Sequence, residues 1–210
     1  METHAEPLRR RGRPGLGPEA RDAVLIAAGE LLSEQGASGM QVRAIAGRTG
    51  LSVGSIYKLF GDVESLMREL NRETYRAFAE HHRSALEACG LAETRVLDRL
   101  MVLARAYIDF VLTHRERWTV LLALPPRRHT ESGARDRASE DALFAIVEEV
   151  LAPAAGMGDS VQRARIARAM WASVHGIVSI VLTNSVEDDP VADALAQIEM
   201  IVGAVVRDHS

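Results

Sequence analysis

The chain holds a single cysteine, Cys89, among 210 residues. One thiol closes no internal disulfide and supplies no cysteine-rich metal site. Aromatic residues are scarce at 4%, and Lys58 is the only lysine beside 24 arginines. That arginine bias reads as a matter of genomic base composition rather than of function. No apolar run approaches the roughly 18 residues a membrane-spanning helix needs, so no membrane partner is expected. The opening stretch METHAEPLRRRGRPGLG is charged and lacks an apolar core, so it does not read as a secretory signal. A cytoplasmic protein is the expectation.

Catalytic signatures are missing too. HExxH, CxxC, a Walker glycine loop and GxGxxG do not occur. Cys89 sits in LEACGL and reads as a packed thiol rather than a nucleophile. His81 and His82 are adjacent, and neighbours on a helix point about 100° apart. They therefore read as a solvated surface pair rather than metal ligands. No catalytic residue, metal or cofactor is expected. A helical enzyme whose residues converge from several helices stays as a third reading.

What is present is ordinary globular material, 47% hydrophobic and 26% charged. The length suits one large or two small domains. Net charge is −4, but it is uneven. Residues 1–60 hold eight basic and six acidic side chains, a balance of +2, which leaves −6 for the rest. One end of the chain thus tolerates a polyanion better than the other.

The periodicity is helical throughout, and the chain reads as all-α. Residues 1–17, rich in Arg, Gly and Pro, read as a flexible basic arm. From Pro18, a stripe of Val24, Leu25, Ala27, Ala28, Leu31 and Leu32 predicts a first helix, stopped at Gly36. Short helices follow at 41–48 and 52–60, the second capped by Ser52. Asp62 caps a fourth helix running to about residue 87. Further helices are expected near 92–114, 117–124, 139–152, 160–184 and 190–207. The segment PPRRHTESGARD, 125–136, reads as the main loop.

The stretch QVRAIAGRTGLSVGSIYKLF, 41–60, carries the most information. Gly50 supplies a turn between two short helices. Ala46 lets the helices approach, and Leu51 and Ile56 plug inward. Val53, Gly54, Ser55, Tyr57 and Lys58 lie away from that plug. Small residues at the start of the second helix allow a deep seat in a DNA major groove, and its amides favour phosphate. Tyr57 and Lys58 can reach phosphates or base edges. A helical corner packed in a core is the competing reading.

Together with the preceding LIAAGELLSEQG and the following GDVESL, this stretch resembles the N-terminal domain of TetR-family transcriptional regulators. Ile45, Ala46, Gly50, Leu51, Ser52, Gly54, Ile56, Tyr57 and Phe60 carry the likeness, over about residues 18–70. The resemblance implies a three-helix helix-turn-helix DNA-binding domain at 18–62, with 52–58 as recognition helix. It implies a connecting helix at 63–89 and a homodimer reading a palindromic operator in double-stranded DNA. The expected DNA contacts are Arg43, Ser52, Val53, Gly54, Ser55, Tyr57 and Lys58. Gln41 stands where the family carries Thr or Ser, and Val63 where Lys is common, which removes two phosphate contacts. Arg11 and Arg13 of the arm resemble segments that enter A·T-rich minor grooves and restore such contacts. A solubilising tail is the alternative.

AYIDFVLTHRERWTVLL and MWASVHGIVSIVL are similar to the effector domain of a family subgroup with a Trp…His-Gly signature. Residues 90–210 are accordingly expected to form a helical bundle that binds a ligand and dimerises. Tyr107, Trp118, Trp171 and His175 are the pocket candidates for a small apolar or amphipathic effector. The apolar stripe of Val191, Ala194, Leu195, Ile198, Ile201, Val202 and Val205, with helix 160–184 and Gly176, is the candidate dimer face. Packing into the protomer's own core is the alternative for both sets. The expected function is a transcriptional regulator, a repressor released by a small molecule. The runner-up is a DNA-binding dimer without an effector.

Overall fold

A computed structural model describes residues 16–90, 95–124, 131–154, 156, 158–184 and 188–208. All regular structure among the described residues is helical. The chain divides into two compact units, residues 1–67 and 68–210.

In the first unit, α1 (Pro18–Gln35) opens on a proline, whose missing N–H is no loss in a first turn. It stops at Gly36, whose φ of 66° is open to glycine and costly for other residues. A single 3₁₀ turn at Gly36–Gly39 leads into α2 (Val42–Thr49). Gly50 turns the chain in the left-handed region, φ 70° and ψ 8°. Helix α3 (Val53–Phe60) follows. The Ser52 hydroxyl oxygen accepts the Ser55 N–H at 3.1 Å at its start. The Asp62 carboxylate accepts the Ser65 N–H at 2.6 Å and so starts α4 (Val63–Cys89).

The core of this unit joins Val24, Leu25, Leu31 and Leu32 of α1 with Ile45 of α2 and Ile56 and Phe60 of α3, all buried. Each such burial contributes about 1.5–3 kcal/mol. Arg21 closes one side. Its guanidinium lies 4.3 Å from the centre of the Phe60 ring and donates to the Leu59 carbonyl.

The second unit takes the rest of α4 with α5 (Val96–Thr113), α6 (Arg115–Ala123), α7 (Glu131–Leu151), α8 (Ser160–Asn184) and α9 (Pro190–Asp208). Helix α9 packs on α5 and α8, and α7 packs on α8 and α5. Phe78, Tyr107, Phe110 and Trp118 form the aromatic centre of the core. Phe78 stacks on Trp118 with ring centres 5.2 Å apart, and Tyr107 meets Trp118 edge-on at 5.3 Å.

Three expectations need correction. Residues 131–136 belong to α7 and not to a loop. Ala134 and Arg135 are exposed on the helix, and Asp136 pairs with Arg68 and Arg72 at 3.1 and 2.8 Å. Tertiary pairing here outweighs weak local propensity. The histidine pair is not a solvated pair: His82 is only 6% exposed. It shares a helix face with Phe78 and Leu86, which face the core. Finally, most of the α9 stripe is used within the protomer. Ala194, Ile198 and Val202 are buried, and Val191, Leu195 and Val205 pack against the same cluster. Wedged between α5 and α8, the helix turns its richest face inward.

The apolar residues left outside lie elsewhere on these helices. Ile180 of α8 and Met200 of α9 are 63% and 64% exposed, and Ile201 is exposed as well. A Cβ added at Gly176 would meet no atom within 4 Å.

Candidate functional site

The first unit presents α3 as a polar, nearly bare surface. Ile56 and Phe60 hold one face of the helix in the core. A turn of helix away, Ser52, Gly54, Tyr57 and Lys58 are exposed, and Val53 and Ser55 are half-buried. The Ser52 and Ser55 hydroxyls lie 2.8 Å apart. A side chain at Gly54 would meet only Ser52 Oγ, at 3.9 Å. The protein's own packing therefore does not demand glycine there. Tyr57 is 44% exposed, a large ring left uncovered by the fold.

Charge sorts the basic residues of this unit. Arg21 is committed to Leu59 and the Phe60 ring. Arg48 is held by Glu34 at 2.7 Å and Glu30 at 3.3 Å, which keeps the Glu34 carboxyl below its ordinary range. Arg43 and Lys58 are exposed and pair with no carboxylate among the described residues. The unit thus presents two exposed cations, Arg43 on α2 and Lys58 on α3, that no described carboxylate neutralises. Gln41 precedes α2 without capping it; its side chain donates to the Ser38 carbonyl at 3.4 Å. Arg11 and Arg13 lie outside the described residues.

The second unit holds a cavity of about 550 Å³, counting the part open to solvent. Helices α4, α5, α7, α8 and α9 wall it with Phe78, His82, Leu103, Tyr107, Ile146, Met170, Trp171, Val174 and Val202, among others. Tyr107 and Trp171 of the expected set line it directly. Trp118 and His175 stand behind them. Trp118 is buried against Tyr107, and His175 lies 2.7 Å from the Tyr107 hydroxyl through Nδ1. His175 also stacks on Trp171, with centres 5.1 Å apart and planes 6° from parallel. All four candidates thus form one cluster, with two at the wall and two supporting it.

Sequence reasoning missed Phe78 and His82 as wall residues. The signal was there: Phe78, His82 and Leu86 recur every four residues on one face of α4. Burial holds the His82 imidazole down to about 4, so it is neutral at physiological pH, and its Nδ1 lies 2.8 Å from the Phe78 carbonyl. Burial pushes the Tyr107 phenol well up from its ordinary value. The cavity is therefore apolar and uncharged. Among the described residues no cluster of side chains could hold a metal ion, and no helix is long and apolar enough to cross a membrane.

Two family profiles match the chain. Residues 24–70 match bacterial regulatory proteins of the tetR family, and residues 100–204, half of the chain, match the tetracyclin repressor-like C-terminal domain. The chain belongs to the TetR family. Solved structures agree with that assignment at the level of the fold. A protein of unknown function from Rhodococcus sp. RHA1 is 24% identical, with a TM-score of 0.68 over 94% of this chain and 98% of that one. The fatty acid degradation regulator FadR of Bacillus halodurans is 19% identical, with a TM-score of 0.63 over 90% and 97%. FadR of Bacillus subtilis, solved in complex with stearoyl-CoA, is 17% identical, with a TM-score of 0.63 over 86% and 97%. No curated protein sequence matches. In this TetR-family chain α3 occupies the N-terminal region matched by the family, and most of the cavity wall falls within the C-terminal match.

Proposed function

We propose that this protein is a ligand-responsive transcriptional regulator that binds a palindromic operator as a homodimer and acts as a repressor. The observation that carries the reading is the exposed face of α3. It begins on a serine cap, has open space at Gly54, and leaves Tyr57 and Lys58 uncovered. A helix with small residues at its start, in a unit that carries unpaired cations, suits the major groove, where phosphates and base edges are both in reach. Ser52, Val53, Gly54, Ser55, Tyr57 and Lys58 are the groove-facing set, and Arg43 is a phosphate contact. Arg11 and Arg13 extend the footprint into the minor groove.

A second copy supplies the second half-site. The exposed Ile180, Met200 and Ile201, with the open space over Gly176, favour pairing through α8 and α9. Two recognition helices then meet half-sites about 34–36 Å apart. The uncharged cavity is the effector site. Its ligand releases DNA by favouring a conformation in which the two helices no longer match that spacing. Helix α4 carries Phe78 and His82 to the cavity wall, and its first residues belong to the DNA-binding unit. It is the element on which both events act. The solved relative bound to stearoyl-CoA supports ligand response in this fold.

The test is binding to pooled random-sequence duplexes, followed by fluorescence anisotropy across a salt series. Salt-dependent binding that truncation of residues 1–16 weakens is the expected result. Absence of binding by folded dimer contradicts the reading.

A further inference from the structure

The cavity restricts its occupant more narrowly than a general sensor pocket does. Its volume of about 550 Å³ includes space open to solvent, so the enclosed part admits only a compact occupant. None of its described wall residues is Lys, Arg, Asp or Glu. An ion taken into such a wall stays unpaired and costs several kcal/mol of hydration. The two titratable wall residues do not help it. Burial keeps His82 without its proton and Tyr107 with its own.

Apart from His82, the polar groups of the wall lie together. The buried Nε1–H of Trp171 has no hydrogen-bond partner, although a buried donor is ordinarily satisfied. Trp171 stacks on the same His175 imidazole that takes the Tyr107 hydroxyl at 2.7 Å, and His175 Nε2 faces Ser179 Oγ at 3.4 Å. The tautomer of His175 decides what Tyr107 offers. With the proton on Nε2, the Tyr107 hydroxyl donates to Nδ1 and keeps a lone pair free. With the proton on Nδ1, the imidazole donates and the Tyr107 O–H is released for another acceptor. Tyr107 thus hydrogen-bonds to the His175 imidazole on which Trp171 stacks, while His82, the other polar wall residue, directs Nδ1 to the Phe78 carbonyl.

We propose that the cavity takes a compact, uncharged, mostly apolar molecule bearing one oxygen function, an alcohol or a carbonyl, and that Trp171 and Tyr107 read that oxygen. The inference rests on the cavity being the effector site and specifies what enters it.

The probes are decan-1-ol, decanoate and decylammonium, which share a chain and differ in charge. Each is titrated into the full-length protein at neutral pH, read by thermal midpoint and by tryptophan fluorescence, with release of a bound duplex measured in parallel. Decan-1-ol is expected to raise the midpoint and to bind at least roughly tenfold more tightly than either ion. Tyr107→Phe and Trp171→Phe each weaken decan-1-ol by roughly three- to tenfold, the value of one hydrogen bond. Tyr107→Phe removes only a hydroxyl, so it keeps the test informative if Trp171→Phe fails to fold. Decanoate or decylammonium binding as tightly as the alcohol overturns the inference; if that ion also releases DNA, the sensor reading stands. Binding of none of the three overturns the inference and removes the support for an effector site as well.

Discussion

Asp136 of α7 bridges two arginines of α4, reaching Arg68 at 3.1 Å and Arg72 at 2.8 Å. The Arg68 side chain is only 5% exposed, so this pair is screened far less than one on the surface. Further along α7, Leu143 and Ile146 line the cavity, so the same helix carries the ion pair and part of the wall. Asp136→Ala is expected to cost about 2–3 kcal/mol in urea unfolding, since it removes the carboxylate from a buried guanidinium. Asp136→Asn keeps one acceptor oxygen and costs less. A loss below about 0.5 kcal/mol for the alanine variant would show that the bridge does not hold α7 to α4.

Gly54 separates stability from DNA binding. Nothing but Ser52 Oγ, at 3.9 Å, lies near an added Cβ. Gly54→Leu should leave stability unchanged or raise it by up to about 1 kcal/mol, because glycine is the poorer helix former. The same side chain fills the surface assigned to the groove, and affinity for duplex DNA should fall by about tenfold or more. Thermal melts and anisotropy on one preparation measure both. Wild-type affinity in a folded Gly54→Leu protein would remove α3 from the interface.

Lys58 and Arg48 form a matched contrast. Lys58 is exposed and pairs with no carboxylate among the described residues, whereas Arg48 is neutralised by Glu34 and Glu30. Lys58→Ala should lower the slope of log affinity against log salt by about 1, as expected for one lost phosphate contact. Arg48→Ala should change the slope much less. Equal changes would mean that the intramolecular pairing does not decide which cation meets DNA.

Acid should destabilise the second unit through His82. Its folded value of about 4 lies below the ordinary 6.5 because burial disfavours the charged ring. Its titratable neighbours are His81 and Tyr107. Between those two values the unfolded chain takes up a proton that the folded chain refuses. The contribution is fully present above about pH 6.5 and is lost as pH falls toward about 4. Urea unfolding near pH 5 should therefore show about 2 kcal/mol less stability than at neutral pH from this group. His82→Leu should flatten that slope. His114 and His175 are also held below their ordinary value by burial, so a smaller slope of the same sign remains.

The apolar side chains left outside on α8 and α9 predict the oligomer. Met200→Glu places a charge on the exposed face of α9 and should shift the protein toward monomer in sedimentation at micromolar concentration, with its helical content intact. An unchanged dimer would move the interface elsewhere.

The first unit was almost wholly legible because its signals are local. Ser52 and Asp62 cap helices, Gly36 and Gly50 end them, and each acts within a few residues of itself. Ile45, Ile56 and Phe60 follow from helical periodicity. The second unit was less legible because its decisive contacts are remote in sequence. Asp136 becomes helical and structural through α4, more than sixty residues away. The α9 stripe was correctly apolar, but periodicity alone does not say whether a stripe faces its own protomer or a second one. His82 needed its neighbours Phe78 and Leu86 to be read with it, since one residue has no face until a stripe is assigned.

The most direct test is selection of bound duplexes from a random-sequence library by the full-length protein at physiological salt. The account predicts a recovered palindrome whose half-sites are about one helical turn apart or a multiple of it. Enrichment should vanish with Gly54→Leu and weaken with Lys58→Ala. A folded, dimeric protein that enriches no sequence would contradict the assignment of α3 as a recognition helix.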